Sequence, residues 1–287
     1  MQNNINKELN FVFFGTPEVA SETLEILKQA GFLASLIVTS QDKPKGRKML
    51  VTPPAVKVWA MENKTPYIQP EKLGTELFKN NPDLFIVVAY GKIIPEEILN
   101  MPKLGSINIH YSLLPKYRGA SPVESAILNG DMETGVSIQQ MEYKMDTGPI
   151  VLQKKTNILP DEKAPDLRKR LIKIGGELLV KILKTPSADG HSPFAGGEEQ
   201  DESQATFCKK IKKEDGLLDL NDNPIKNYNK FRAYAFWPRT FFFARRSLGE
   251  GGFSNKRITI TKARLENGQF IIEKIIPENG KEVDYRD

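Results

Sequence analysis

Apolar positions along the first half of this chain recur in two alternating rhythms. Residues 10–14 form a short apolar run that ends in Gly15-Thr16-Pro17, and Val19, Thr23, Ile26 and Leu27 then fall at helical spacing before Gly31. This is strand, turn, helix. Strand signals return at 33–38, 84–89 and 106–109. The middle one, LFIVVA, is a continuous apolar run of the kind buried on both faces of a parallel sheet. Helical spacing at 55–63, 71–80 and 121–128 separates the strands, which predicts a doubly wound, mostly parallel α/β sheet. Two further strand-like runs, 136–140 and 150–157, and a long helix over 164–184 complete a first domain, 1–185.

The rhythm then stops. Residues 186–204 are rich in Pro, Gly, Ser and acids and read as an exposed linker. From 205 to 287 the period is mostly two, with strands predicted at 217–220, 240–244, 257–262 and 269–274 and a turn at Glu266-Asn267-Gly268. One helix is predicted at 225–235, ended by Trp237-Pro238. A smaller, OB-like β-barrel is the expected form of this second domain.

Composition narrows the chemistry. With 287 residues, 39% hydrophobic and 27% charged, the chain reads as globular. A single cysteine leaves no intramolecular disulfide, and no run approaches the roughly 18 apolar residues of a membrane helix. MQNNINKELN lacks a basic flank and apolar core, so a cytoplasmic protein is expected. The net charge is +5, and the basic excess lies from Gln204 onward. A polyanionic partner and a plain solvated basic surface explain that excess equally well.

The stretch SINIHYSLLPKYRG holds the most specific pattern. Asn108 and His110 stand at i and i+2, so on a strand both side chains project from one face, where together they can hold a carbonyl oxygen. The loop Ser112-Leu113-Leu114-Pro115 follows, at the carboxyl edge of the sheet where α/β folds bind ligands. Asp146 lies in the turn Met145-Asp146-Thr147-Gly148. A strand histidine is often a structural residue and an Asp before Thr-Gly is often a turn former, so spacing alone leaves both readings open. His110, His191 and Cys208 are the only soft ligands, which argues against a His/Cys metal site; His191 is given no role. The opening FFGTPEVA has one glycine where a dinucleotide fingerprint needs three.

Taken together, NIH, SLLPKYRGASP, MDTG, FFGTPEVA and VVAYGKIIP resemble the motifs of formyltransferases that use 10-formyltetrahydrofolate. TSQDKPKGRKMLVTPPAVK is similar to the long basic loop of the methionyl-tRNA formyltransferase family, and 207–219 and 232–238 resemble its carboxyl-terminal domain. The resemblance implies a Rossmann-like formyltransferase domain and direct formyl transfer from 10-formyltetrahydrofolate to the α-amine of methionyl initiator tRNA. Asn108, His110 and Asp146 would be catalytic, without a metal. Folate would enter by Val88, Ala89, Tyr90, Gly91, Ile94 and Tyr143, with Ser112, Leu113, Leu114 and Pro115 as a wall. Lys45, Arg47 and Lys48, on a loop expected to be unordered without RNA, would meet the tRNA, as would Lys209, Lys210 and Lys212. A monomer is expected, with folate and tRNA as partners and no membrane. A formyltransferase acting on an amino-sugar nucleotide and a formyltetrahydrofolate hydrolase share the triplet, and a nucleic-acid-binding protein without activity is a further alternative. The basic loop argues against the first two and the intact triplet against the third.

Overall fold

Short apolar segments pair as strands and the amphipathic segments between them cover the sheet, in a computed structural model that describes residues 9–46, 49–79, 81–185, 194, 196–247 and 253–285. The chain runs β1 (Phe11–Gly15), α1 (Glu18–Gln29), β2 (Leu36–Val38), β3 (Lys43–Lys45), β4 (Leu50–Thr52), α2 (Ala55–Glu62) and β5 (Tyr67–Ile68). Next come β6 (Leu84–Val88), α3 (Glu96–Leu99), β7 (Ser106–His110), β8 (Arg118–Gly119), α4 (Pro122–Leu128), β9 (Glu133–Gln140), β10 (Ile150–Asn157) and α5 (Ala164–Lys184). The last stretch holds β11 (Phe207–Cys208), α6 (Pro224–Ala233), β12 (Phe241–Ser247), β13 (Phe253–Glu266), β14 (Gln269–Pro277) and β15 (Val283–Asp284). The described residues form two compact units. One takes those within Met1–Arg118, Gly135–Lys155 and Arg170–Thr206; the other takes those within Gly119–Thr134, Thr156–Lys169 and Phe207–Asp287.

The first unit is built on a seven-stranded sheet in the order β10-β9-β7-β6-β1-β2-β5. Pairs β1–β2, β2–β5, β1–β6 and β6–β7 are parallel, and β9 runs antiparallel to β7. The strand order therefore reverses between β1 and β6, which opens a crevice beyond their carboxyl ends. Gly15 pairs with Val88, so those ends are level. Phe11, Phe13, Phe14, Leu84, Phe85, Ile86 and Val88 are all buried, as the continuous apolar runs require. Phe14 meets Phe85, Tyr90 and Phe78 at centroid distances of 5.0, 5.4 and 5.9 Å. Burying each such ring contributes about 1.5–3 kcal/mol.

Helix α5 packs on the sheet through a gap left by glycine. A Cβ on Gly175 would lie 3.0 Å from Ile109 Cγ2, and one on Gly176 would lie 2.6 Å from Ile26 Cδ1. Ile109 thus faces the helix, and the alternation of β7 sends Asn108 and His110 to the other side.

Three local expectations in this unit are corrected. The helix expected at 71–80 is only a 3₁₀ turn, Thr75–Leu77. Leu73 and Phe78 both enter the core around Phe14 and Phe85, and residues five apart do not share a face of an α-helix; Gly74 weakens a helix further. The basic loop, expected to be unordered, pairs β3 with β4 as an antiparallel hairpin in the register Lys43↔Thr52, Pro44↔Val51, Lys45↔Leu50. At its base Asp42 accepts bonds from Lys57 Nζ at 2.7 Å and Gln69 Nε2 at 2.8 Å, and these hold its carboxyl below the usual carboxylate range. The exposed linker expected at 186–204 is not exposed throughout where it is described. Phe194 and Gln200 are buried, and Glu198 exchanges backbone bonds with Ile150. His191 lies outside the described residues.

The second unit carries the antiparallel sheet β12-β13-β14-β15. Asn267 and Gly268, with φ of +51° and +77°, join β13 to β14 with Glu266 opposite Gln269, a two-residue hairpin turn of the type Asn-Gly favours. The Asn223 side chain caps α6 by accepting from the backbone N–H groups of Ile225 and Lys226 at 2.9 and 3.2 Å. Leu218, Tyr228, Phe231, Phe242 and Ile260 form the core of this unit. The strand expected at 217–220 reduces to an isolated bridge between Leu217 and Phe241. Among the described residues no pairing joins β15 to β12.

Candidate active site

Strand β7 ends at the carboxyl edge of the sheet beside β6, and its last polar positions are Asn108 and His110. Asn108, half-buried, donates through Nδ2 to the Val87 carbonyl on the neighbouring strand at 3.0 Å. An amide nitrogen has two hydrogens, so this bond sets the amide plane and leaves one donor to a ligand. His110 is buried and its Nε2 lies 2.9 Å from the Tyr117 carbonyl. A carbonyl only accepts, so Nε2 carries hydrogen and Nδ1 is the nitrogen available for proton traffic. Nδ1 faces Asp146 Oδ2 at 3.7 Å. A proton arriving there meets a carboxylate.

The loop after β7 is tied down rather than loose. Ser112 Oγ donates to the Lys116 carbonyl at 2.5 Å, and Ser137 Oγ donates to the Ser112 carbonyl at 2.7 Å while accepting from the Leu114 N–H at 3.1 Å. Gln153 Nε2 reaches both the Leu114 carbonyl, at 3.1 Å, and Ser137 Oγ, at 2.7 Å. The Leu114-Pro115 peptide is cis. Ser112 and Leu114 are buried, and Leu113 packs where a Cβ on Gly135 would lie.

Asp146 sits at φ +55°, a conformation costing about 1–3 kcal/mol for most residues, so its surroundings must hold it. Its Oδ1 accepts from Gln139 Nε2 at 2.9 Å. Two residues on, a Cβ on Gly148 would lie 2.1 Å from the Gln140 carbonyl oxygen, so any side chain there lifts the turn away from β9. Gly148→Ala is expected to lower turnover at least about tenfold by displacing Asp146. Steady-state kinetics on the folded variant check it, and unchanged turnover would show that this turn tolerates movement.

The residues expected to meet folate fall into two sets. Val88, Tyr90 and Ile94 are buried, Tyr90 and Ile94 within the core around Phe14 and Phe85, so a ligand would meet their main chain. Ala89 and Gly91 are exposed at φ +47° and +77°, and the Tyr90 carbonyl accepts from Thr16 Oγ1 at 2.9 Å. Burial raises the Tyr90 phenol above its ordinary range. Tyr143 is exposed.

Of the basic residues, Lys45 is exposed with its Nζ 3.6 Å from Glu18, and Arg47 and Lys48 lie outside the described residues. Lys209, Lys210 and Lys212 are exposed in the second unit. Among the described residues no group of three or more His, Cys, Asp or Glu could hold a metal, and no helix is long and apolar enough to cross a membrane. The sequence reading missed Ser137, Gln139, Gln153, Gln200 and the buried Arg118. The polar Ser137 and Gln139 in β9 were the available signal, since a strand in the sheet interior keeps polar side chains only where they find partners.

The structure thus sets an amide, an imidazole and a carboxylate at the carboxyl edge of a doubly wound sheet, in a chain that also carries a small antiparallel sheet. Residues 9–183 match the formyl transferase domain, and 210–285 match the formyl transferase C-terminal domain. The chain is 43% identical to the methionyl-tRNA formyltransferase of Thermotoga maritima, over 79% of this chain and 72% of that protein. It is 39% identical to that of Dictyoglomus turgidum, over 95% of this chain and 86% of the relative. The fold is similar to that of an N-formyltransferase from Helicobacter canadensis solved with folinic acid and dTDP-3-aminofucose, with a TM-score of 0.66 and 19% identity over 90% of this chain and 88% of the other. The chain belongs to the methionyl-tRNA formyltransferase family and is a transferase.

Proposed function

We propose that this enzyme transfers the formyl group of 10-formyltetrahydrofolate to the α-amine of methionyl initiator tRNA. The observation that carries the reading is the imidazole of His110, tied at Nε2 to a loop carbonyl and facing the Asp146 carboxylate with Nδ1. The family supplies the substrates: relatives covering most of this chain carry the methionyl-tRNA formyltransferase name, and a structural neighbour was solved with folinic acid.

The neutral amine attacks the formyl carbon, a new C–N bond forms, and the carbonyl oxygen becomes an oxyanion. Asn108 donates its remaining N–H to that oxygen. At 3.7 Å the Nδ1···Oδ2 gap exceeds a direct hydrogen bond, so a ring that takes a second proton from solvent at Nδ1 donates it to the oxyanion while the nearby Asp146 carboxylate balances the charge. Asp146 accepts the proton the amine sheds and returns it to the folate nitrogen as that C–N bond breaks. The exposed main chain at Ala89 and Gly91 offers donors and acceptors to the flat edge of the pterin.

Assay with charged initiator tRNA, elongator methionyl-tRNA, free methionine and an amino-sugar nucleotide tests this reading. Formylation of the initiator methionyl-tRNA above all others is expected. Transfer to the sugar nucleotide without transfer to tRNA would refute it.

A further inference from the structure

The carboxylate at the centre of the site is held by a chain of polar groups that begins on a buried cation. Arg118 is 1% exposed, and its guanidinium donates through Nε and Nη2 to Gln200 Oε1 at 3.1 and 2.8 Å. The other side of its fork meets Glu202, with Nη1 to Oε2 at 3.0 Å and Nη2 to Oε1 at 2.6 Å. This pairing holds the Glu202 carboxyl below its usual range. Gln200 Nε2 donates to the carbonyls of Gly148, at 2.7 Å, and Asp146, at 3.0 Å, and lies 3.3 Å from Gln139 Oε1. Gln139 in turn donates to the Asp146 carboxylate at 2.9 Å.

The direction of every link follows from the first. A guanidinium has donors only and stays charged, so the Gln200 atom facing it must be oxygen. Gln200 nitrogen must then face the three oxygens of Gln139, Asp146 and Gly148. With its own oxygen turned to Gln200, Gln139 presents nitrogen to the carboxylate. A flipped amide anywhere in this series would set donor against donor or oxygen against oxygen in a buried place, at about 1–3 kcal/mol per unsatisfied group. Gln200 also bonds the main chain on both sides of Thr147, which steadies the left-handed conformation of Asp146.

We infer that Arg118 and Gln200 are positioning residues for the formyl transfer proposed above: they set the Gln139 amide as donor to Asp146 Oδ1, which leaves Oδ2 aimed at His110. The inference rests on that functional reading for its kinetic arm only. Arg118 reaches Asp146 through Gln200, and Gln200 bonds the Asp146 main chain and Gln139 rather than the carboxylate itself. A role in binding would appear in KM, and one in aiming the carboxylate appears in kcat.

The test uses the full chain with Gln200→Leu, Gln139→Leu, their double variant, and Gln200→Glu, which keeps the volume and the Arg118 pairing but sets a carboxylate oxygen against the Asp146 and Gly148 carbonyls. Each single variant is expected to lower kcat about tenfold to hundredfold with KM for both substrates within about threefold. The double variant is expected to be no worse than the poorer single one, because both cut the same chain. A second readout does not depend on activity. The chain has only two histidines, so ¹⁵N-histidine spectra resolve His110 from His191. Gln200→Leu or Gln200→Glu should move the His110 ring signals. A folded Gln200 variant with wild-type kcat, additive losses in the double variant, or unmoved His110 signals would each overturn the inference. Failure of the wild type to formylate methionyl-tRNA with moved His110 signals would instead count against the functional reading alone.

Discussion

Asp146→Asn is expected to lower turnover by about a hundredfold or more, the scale of a lost general acid–base group, while KM for folate and tRNA stays within about threefold. The substitution is nearly isosteric. The new amide oxygen still accepts the bond from Gln139, whose orientation is set by Gln200 and Arg118, so the turn keeps its place. What changes is the group facing His110 Nδ1. An amide nitrogen there cannot balance a proton on the ring, and the carboxylate that would accept hydrogen from the attacking amine is gone. Single-turnover measurement with saturating substrates isolates this step. A variant as fast as wild type would remove Asp146 from the chemistry.

Asn108→Ala is expected to reduce turnover by about 10²–10³-fold, the range for loss of one preorganised oxyanion donor. Its effect on stability should be small by comparison. The lost bond to the Val87 carbonyl is a single neutral hydrogen bond of about 0.5–1.5 kcal/mol, on a side chain that is only half-buried. The donor matters most once negative charge has developed on the formyl oxygen, so KM is expected to hold while kcat falls. An equal change in kcat and KM would point instead to ground-state substrate binding by this amide. These two variants strike different charges, one on the ring and one on the oxygen.

Much of this architecture was legible without coordinates. Residues 84–89 read as a buried parallel strand and 84–88 form β6, the long helix over 164–184 coincides with α5, and Asn267-Gly268 makes the tight turn its dihedral preferences favour. These features depend on neighbours in the chain, so period and turn chemistry report them. The segment at 71–80 misled because Leu73 and Phe78 are apolar for the sake of the core, not of a helix face. Residues 194–204 misled for the opposite reason. Their composition is polar, yet Gln200 is buried because each of its amide atoms finds a partner.

The sequence by itself determined the doubly wound sheet, the pairing of Asn108 with His110 on one strand face and the place of Asp146 in a turn, since strand alternation and turn preference act over a few residues. Tertiary structure alone decided how the carboxylate is aimed. Arg118 and Gln200 are 82 residues apart, and Gln200 and Gln139 are 61 apart. Only the folded sheet brings them within hydrogen-bonding distance, and only burial makes the direction of each bond obligatory.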